Sequence, residues 1–348
     1  MLSVGIDAHH HLYAMCILDD NGKVVKEHTV EGPVSEVAQW LQKLKKPFAV
    51  CYEASLGYGE LHDALLPIAK QIQVAHPTNV RMIFQSKRKN DRIDARKLAK
   101  CLYMDEVPQV HVPAREVREW RVLIEHRRRL VDKRVATKNG LRALFRSQGI
   151  DTLKGSRMWF SPGIAWMRSV EFKSSLTALR RDQLLLELSH FDAMIKLAEK
   201  TLDEIAKTHA GITLLRTIPG IGPRTAEAIV AYVDKPERFS STRKAASYFG
   251  LVPCLDESAG SSRYGRITRQ GPATVRKLVV EASWRALACS PTIRRYFDRI
   301  KDGKKDRTGK ALVATARHLV EVMVAMLKSG EEWRESPHPS DIPSKQAA

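Results

Sequence analysis

Three short apolar runs open the chain: Leu2 to Ile6, His11 to Leu18 and Lys23 to Val30. Asp19-Asp20-Asn21-Gly22 separates the last two, and an Asn-Gly pair between apolar runs is a hairpin signal. Val34 to Leu44 switches to helical spacing, Phe48 to Glu53 returns to a strand, and Gly59 to Ile68 is helical again. Gln71 to His76 reads as a further buried strand, closed by Pro77, and a helix opens near Asp91. The predicted order over residues 1–108 is three antiparallel strands, helix, strand, helix, strand, helix.

That α/β order is the order of a ribonuclease H-like, RuvC-like domain. Beyond it the pattern becomes helical. Residues 115–147 carry an apolar stripe through Val117, Leu123, Ile124, Leu130, Val131, Leu141, Leu144 and Phe145. Residues 151–170, with Gly155, Pro162 and Gly163, read as a connector. A second long helix spans Leu176 to Ile205, with Leu179, Leu186, Phe191, Ile195 and Leu202 as its apolar side. Two long helices joined by a connector predict an antiparallel coiled-coil hairpin or a dimerisation arm. Four segments result: 1–108, the α/β domain; 109–210, a basic long-helix region; 211–330, a mainly helical, glycine-punctuated domain; and 331–348, a tail with Pro337, Pro339 and Pro343 expected to be disordered.

Charge sharpens this reading. The 348 residues carry a formal net charge of +19 and 43% hydrophobic residues, so real cores coexist with a surface suited to a polyanion. The excess is concentrated in residues 115–147, which hold eleven lysines and arginines against four acids. Arg127, Arg128, Arg129, Lys133, Arg134 and Lys138 are the candidate phosphate contacts, against the alternative of a solvated helix face. Trp159 and Trp166 are candidates for stacking on bases, although packing is the commoner fate of tryptophan. The five cysteines are scattered, without zinc-ligand spacing, and Cys16 and Cys51 read as small core residues. Nothing reads as a signal peptide or membrane span, and a cytoplasmic location is expected.

Four carboxylates carry the candidate chemistry. Asp7 ends the first strand, Glu53 ends the fourth, and Asp91 and Asp94 lie three apart on one helix face. Two-metal phosphoryl transfer needs hard oxygen ligands, converging from separate elements, around two magnesium ions about 3.5–4 Å apart. Asp7, Glu53, Asp91 and Asp94 are the predicted ligands, with Mg2+ as the expected ion and Mn2+ as the alternative. His9, His10 and His11 follow Asp7 and read as a solvated strand turn, outside the site. Lys87-Arg88-Lys89, Arg92 and Arg96 form a basic rim beside the acids.

Two further motifs lie in the helical half. Thr217-Ile218-Pro219-Gly220-Ile221-Gly222-Pro223 reads as a helix-hairpin-helix, in which Gly220 and Gly222 permit a tight turn whose amides can face a phosphate. The alternative is a packing hairpin without nucleic-acid contact. Asp256-Glu257-Ser258-Ala259-Gly260-Ser261-Ser262 reads as a flexible serine loop, followed by Arg263, Arg266 and Arg269. Arginines so placed would stabilise charge developing on phosphorus.

Together these residues resemble the insertion-sequence one-ten family of transposases, which are bridge-RNA-guided DNA recombinases. Gly5-Ile6-Asp7, Tyr52-Glu53-Ala54 and Asn90-Asp91-Arg92-Ile93-Asp94-Ala95 look like the family's RuvC-like DEDD motifs. The Ile218–Gly222 hairpin, and the segment from Gly250-Leu251-Val252-Pro253 to Gly265-Arg266-Ile267-Thr268, resemble its C-terminal transposase domain. The resemblance covers nearly the whole chain. It implies a serine that attacks DNA to form a covalent 5′-phosphoserine, and Ser258 fits, with Ser261 and Ser262 as alternatives. It also implies magnesium at the four carboxylates, a structured guide RNA pairing with donor and target double-stranded DNA, and a homo-oligomer, dimer to tetramer, with composite active sites. The residue after Ala8 is His9, where many relatives carry lysine. Two other readings stay open: a RuvC-like junction nuclease using water and metals alone, and a non-catalytic nucleic-acid-binding protein.

Overall fold

The computed structural model describes residues 1–55, 57–83, 90–258 and 261–336, with the backbone alone at 81–83, 256–258 and 261–264. The chain divides into two compact units, Met1–Arg118 and Glu119–Ala348.

The first unit holds β1 (Leu2–His9), β2 (Leu12–Leu18), β3 (Val24–Glu31), α1 (Val34–Gln42), β4 (Phe48–Glu53), α2 (Tyr58–Leu65), β5 (Gln71–Ala75), α3 (Pro77–Ile83) and α4 (Asp91–Tyr103). Its five-stranded sheet has the order β3-β2-β1-β4-β5, with β1, β2 and β3 antiparallel and β4 and β5 parallel to β1. This is the order expected of a ribonuclease H-like domain.

The two faces of the sheet differ in side-chain size, and that difference positions the helices. One face presents Val4, Ile6, Tyr13, Met15, Ile17, Val50 and Tyr52, which pack against Val37 and Leu41 of α1 and Leu61 and Leu65 of α2. The other presents Ala14, Cys16 and Leu18, packed against Ala95 and Ala99 of α4, and Ala49, Cys51 and Ala75, packed against Leu98 and Leu102 of the same helix. Gly5 lies on this small-residue face, and a Cβ there would collide with the Ala95 carbonyl and the Ala99 amide. Small residues thus let α4 approach the sheet more closely than an ordinary helix–sheet spacing allows. Cys16 and Cys51 are buried, as expected of small core residues.

The second unit opens with α5 (Arg115–Ser147), whose first turn spans the division, and continues with α6 (Ser161–Ser169), α7 (Ser175–Thr208), α8 (Ala210–Leu215), α9 (Pro223–Val233), α10 (Thr242–Tyr248), a ribbon of β6 (Pro253–Ser258) and β7 (Ser261–Ile267), α11 (Ala273–Cys289), α12 (Pro291–Lys301) and α13 (Thr308–Ser329). α5 and α7 run antiparallel. Arg127 bonds Glu199, Arg134 bonds Asp192 and Thr137 bonds Glu187, so one partner number falls as the other rises. Helices α9, α11 and α13 share the largest core, through residues such as Ile229, Val279 and Val320.

Two expectations need correction. Leu179 and Leu186 do not form the buried side of α7: they are 55% and 70% exposed, and Arg181, Leu185, Leu188, Ile195, Ala198 and Leu202 face inward instead. Leu184, Leu185 and Leu186 are consecutive, so periodicity alone allows either row to be the buried one. The serine segment is not a loop on either side of Ser258. It is an antiparallel ribbon with Ser258 paired to Ser261, and only residues 259–260 lie outside the described residues. Residues 331–336 have no regular structure but are tied down: the Trp333 amide donates to Thr217, and Glu335 accepts from the Thr292 amide. The rest of the expected tail, residues 337–348, lies outside the described residues. Among the described residues no helix is long and apolar enough to cross a membrane.

Candidate metal centre and nucleic-acid surface

The centre is built by strand alternation and helix spacing. Gly5, Asp7 and His9 alternate on one face of β1, the face that α4 covers. On α4, Asp91, Ala95 and Ala99 follow one another at intervals of four and so share one row. Where Gly5 meets Ala95 and Ala99, the elements touch. One turn earlier on the helix, Asp91 meets Asp7 and His9. The Asn90 side chain caps α4, accepting from the Arg92 amide at 3.0 Å.

The resulting geometry is compact. His9 Nε2 lies 3.4 Å from Asp7 Oδ2 and 3.6 Å from Asp91 Oδ1, and one ligand atom from each of the three residues falls within 4.8 Å of the others. Asp94, on the same first turn, accepts from Lys97 Nζ at 2.8 Å. Glu53 is aligned with Asp7, because Ile6 pairs with Tyr52 and the next residues on the parallel strands are Asp7 and Glu53. Neither Glu53 nor Asp94 belongs to the tight three-residue set. Burial raises the Asp7 carboxyl above its ordinary range; His9 opposes that shift, while Asp91 and Asp94 reinforce it by repulsion.

Two carboxylates, Asp91 and Asp94, that repel the half-buried Asp7 carboxyl suit a divalent cation, which relieves the repulsion and satisfies hard oxygen donors. The donor set therefore fits the expected metal. His9, read from sequence as part of a solvated strand turn outside the site, lies 3.4 Å from Asp7 and 3.6 Å from Asp91. The signal was the i, i+2 spacing from Asp7, which holds as long as β1 continues to His9. Lys87-Arg88-Lys89 lies outside the described residues, while Arg96 is paired with Glu27. A cleft of about 470 Å³ adjoins the centre, lined among others by His9, His10, His11, Tyr13, Tyr58 and Glu60.

The basic residues of α5 divide into two groups. Arg127 pairs with Glu199, Arg128 with Asp132 and Glu281, and Arg134 with Asp192. Lys138 and Arg142 each lie 4.9 Å from the centre of the Trp159 ring, which packs against the small core of Phe145, Met158 and Met167. Arg129 and Lys133 are exposed and make no ion pair or hydrogen bond among the described residues. Four of the six predicted phosphate contacts thus already have a partner within the second unit.

The glycine hairpin also divides. Gly220 has φ +90°, and a Cβ there would approach the Ala286 amide nitrogen to 2.5 Å, so packing on α11 demands glycine. Gly222, at the N-terminus of α9, has an ordinary φ of −84° and open space around it. Arg266 is exposed; Arg263 and Ser258 are placed by backbone only, on the paired strands of the ribbon.

The N-terminal unit thus combines a five-stranded sheet of ribonuclease H-like order with acids gathered near the end of β1 and the start of α4, the arrangement of a domain that acts on phosphodiesters with a divalent metal. Residues 4–148 match the IS110-type DEDD family model described as Transposase, and residues 212–298 match the model described as Transposase IS116/IS110/IS902 family. The chain belongs to the IS110 family of transposases. It is 26% identical over 344 residues to the transposase for insertion sequence element IS1111A of Coxiella burnetii, covering 95% of this chain and 91% of that protein. It is 25% identical to the putative transposase y4pF/y4sB of Sinorhizobium fredii, over 86% of this chain and 78% of that one. An IS110 insertion-element protein of Streptomyces coelicolor shares 28% identity over 45% of this chain and 36% of its own length.

Proposed function

We propose that this transposase cuts and rejoins donor and target double-stranded DNA through a covalent phosphoserine at Ser258, with a divalent metal held by Asp7, Asp91, Asp94 and Glu53. The observation that carries the reading is the meeting of Asp7 with Asp91 at the open end of the small-residue face. When bound, magnesium or manganese would stabilise charge developing on the scissile phosphate and favour the ionised nucleophile. Ser258 Oγ attacks phosphorus, its bond to phosphorus forms as the bond to the 3′ oxygen breaks, and the serine proton is lost while the leaving 3′ oxygen gains one. A 3′ hydroxyl from the exchanged strand then attacks the phosphoserine and returns the serine. Arg263 and Arg266, on the same ribbon as Ser258, would counter charge on the phosphate.

Guide RNA and DNA backbone are assigned to the exposed cations of α5, Arg129 and Lys133, with Gly222 and the α9 amides as a helix-hairpin-helix phosphate contact. α5 and α7 form a coiled-coil-like arm in this reading. The exposed Leu179, Leu186 and Leu197 on α7 support a homo-oligomer, dimer to tetramer, in which acids of one copy meet the serine of another. The protein would then work in the cytoplasm, on the nucleoid.

The test is a covalent-adduct assay. Purified protein, Mg2+, RNA from the element's non-coding end and labelled donor and target DNA are mixed, and label is sought on denatured protein. Label lost in Ser258→Ala and in Asp7→Asn is expected. Cleavage without adduct, unaffected by Ser258→Ala, would establish the water-dependent nuclease instead. DNA binding that survives Asp7→Asn with no cleavage by either protein would leave only the binding role.

A further inference from the structure

We infer that His9 is a direct ligand of the metal centre, making it a mixed imidazole–carboxylate site that prefers Mn2+ to Mg2+. The inference deepens the metal reading above and rests on it.

The argument begins with placement. His9 is the last paired residue of β1, opposite Leu12, with only His10 and His11 between the strands. So short a link, with His11 at φ +58°, holds the His9 backbone firmly and projects its ring from the same face as Asp7. The ring nitrogen that faces the acids is Nε2, at 3.4 Å from Asp7 and 3.6 Å from Asp91. Ligands around one octahedral ion at about 2.1 Å stand about 3 Å apart when adjacent and about 4 Å when opposite. Atoms within 4.8 Å of one another therefore need only a small inward adjustment to share an ion. With its proton on Nδ1, the imidazole presents a lone pair from Nε2.

The competing account makes His9 a simple counter-ion that offsets Asp7 and Asp91. It predicts that a metal displaces the ring, since two cationic groups would not share the carboxylates. The two accounts differ in metal preference. Mg2+ keeps oxygen and water ligands, whereas Mn2+ accepts imidazole alongside carboxylate.

Full-length protein is titrated with Mn2+ and with Mg2+ by calorimetry, without nucleic acid. The Mn2+ complex is then examined by pulsed electron paramagnetic resonance for directly bound nitrogen-14. Wild type is expected to show the nitrogen signal, His10→Ala to retain it, and His9→Ala to lose it. Loss of a group that merely hydrogen-bonds a metal ligand already costs about 10–100-fold in metal affinity, so His9→Ala should weaken Mn2+ by about tenfold or more and Mg2+ by far less. Mn2+ bound without a nitrogen signal, or a signal that survives His9→Ala, overturns the assignment and leaves the carboxylate site standing. An absence of Mn2+ and Mg2+ binding that matches Asp7→Asn overturns the metal reading itself.

Discussion

Gly5→Ala tests whether the closeness of α4 to β1 makes the centre. The added methyl would meet backbone, the Ala95 carbonyl and the Ala99 amide, with Ala99 Cα at 3.0 Å. Backbone cannot swing aside as a flexible side chain can, so the helix must retreat by about 1 Å, at a cost of about 1–3 kcal/mol. Asp91 lies one turn from Ala95 on the same row and would move with it. The 3.6 Å spacing between His9 and Asp91, which crosses from β1 to α4, would open by a similar amount, whereas ligand distances tolerate only about 0.2 Å. The expected result is a midpoint lowered by several degrees in metal-free thermal unfolding, with Mn2+ affinity reduced by tenfold or more. Gly309→Ala, at an exposed helical position with open space around it, serves as the control and should lower neither, since alanine is the better helix former. A Gly5→Ala protein with wild-type unfolding and wild-type Mn2+ affinity would refute the reasoning. Lost stability with intact metal binding would refute the link between packing and site.

Glu227 is 1% exposed, accepts from Trp120 Nε1 at 3.0 Å and pairs with Arg224, yet burial raises its carboxyl to about 7 from 4.5. The fold thus binds a proton that the unfolded chain releases. The stabilisation is full below pH 4.5 and is lost as pH rises to 7, by about 3 kcal/mol. Glu227→Gln should remove that loss, so a wild-type-minus-variant difference in urea unfolding that stays flat from pH 4.5 to 8 would contradict it. Gly220→Ala should destabilise by about 1 kcal/mol or more, from positive φ and the Ala286 clash, while Gly222→Ala should leave unfolding unchanged. Weakened DNA binding in Gly222→Ala alone would place a phosphate there. Arg129→Glu with Lys133→Glu should reduce the slope of log affinity against log salt by roughly 2. Arg127→Ala should instead lower stability by loosening α5 from α7, and an equal salt-slope change in both variants would remove the distinction drawn from their partners.

The strands were legible because each is short, apolar and punctuated: the Asn21-Gly22 turn and Pro77 bound their runs, and Asn90 caps α4 where the acids begin. Given that order, the register followed and set Glu53 beside Asp7. What remained hidden depends on a partner distant in sequence. No spacing within α5 distinguishes Arg127 from Arg129, because the difference is Glu199, supplied by α7. Leu185 and Leu186 differ only by which row α5 and α6 select, and both rows of α7 are rich in leucine. His9 was within reach, since alternation from Gly5 through Asp7 runs on to it. It was missed because three consecutive histidines read as a turn, whereas the strand takes the first of them before turning. The plainest residues on that face decide the chemistry. Gly5, Ala95 and Ala99 carry no functional group, but their lack of bulk sets the separation at which Asp7, His9 and Asp91 meet. A larger side chain at any of them would leave every ligand present and the centre too wide, so the motif around Asp7 is as much a packing requirement as a chemical one.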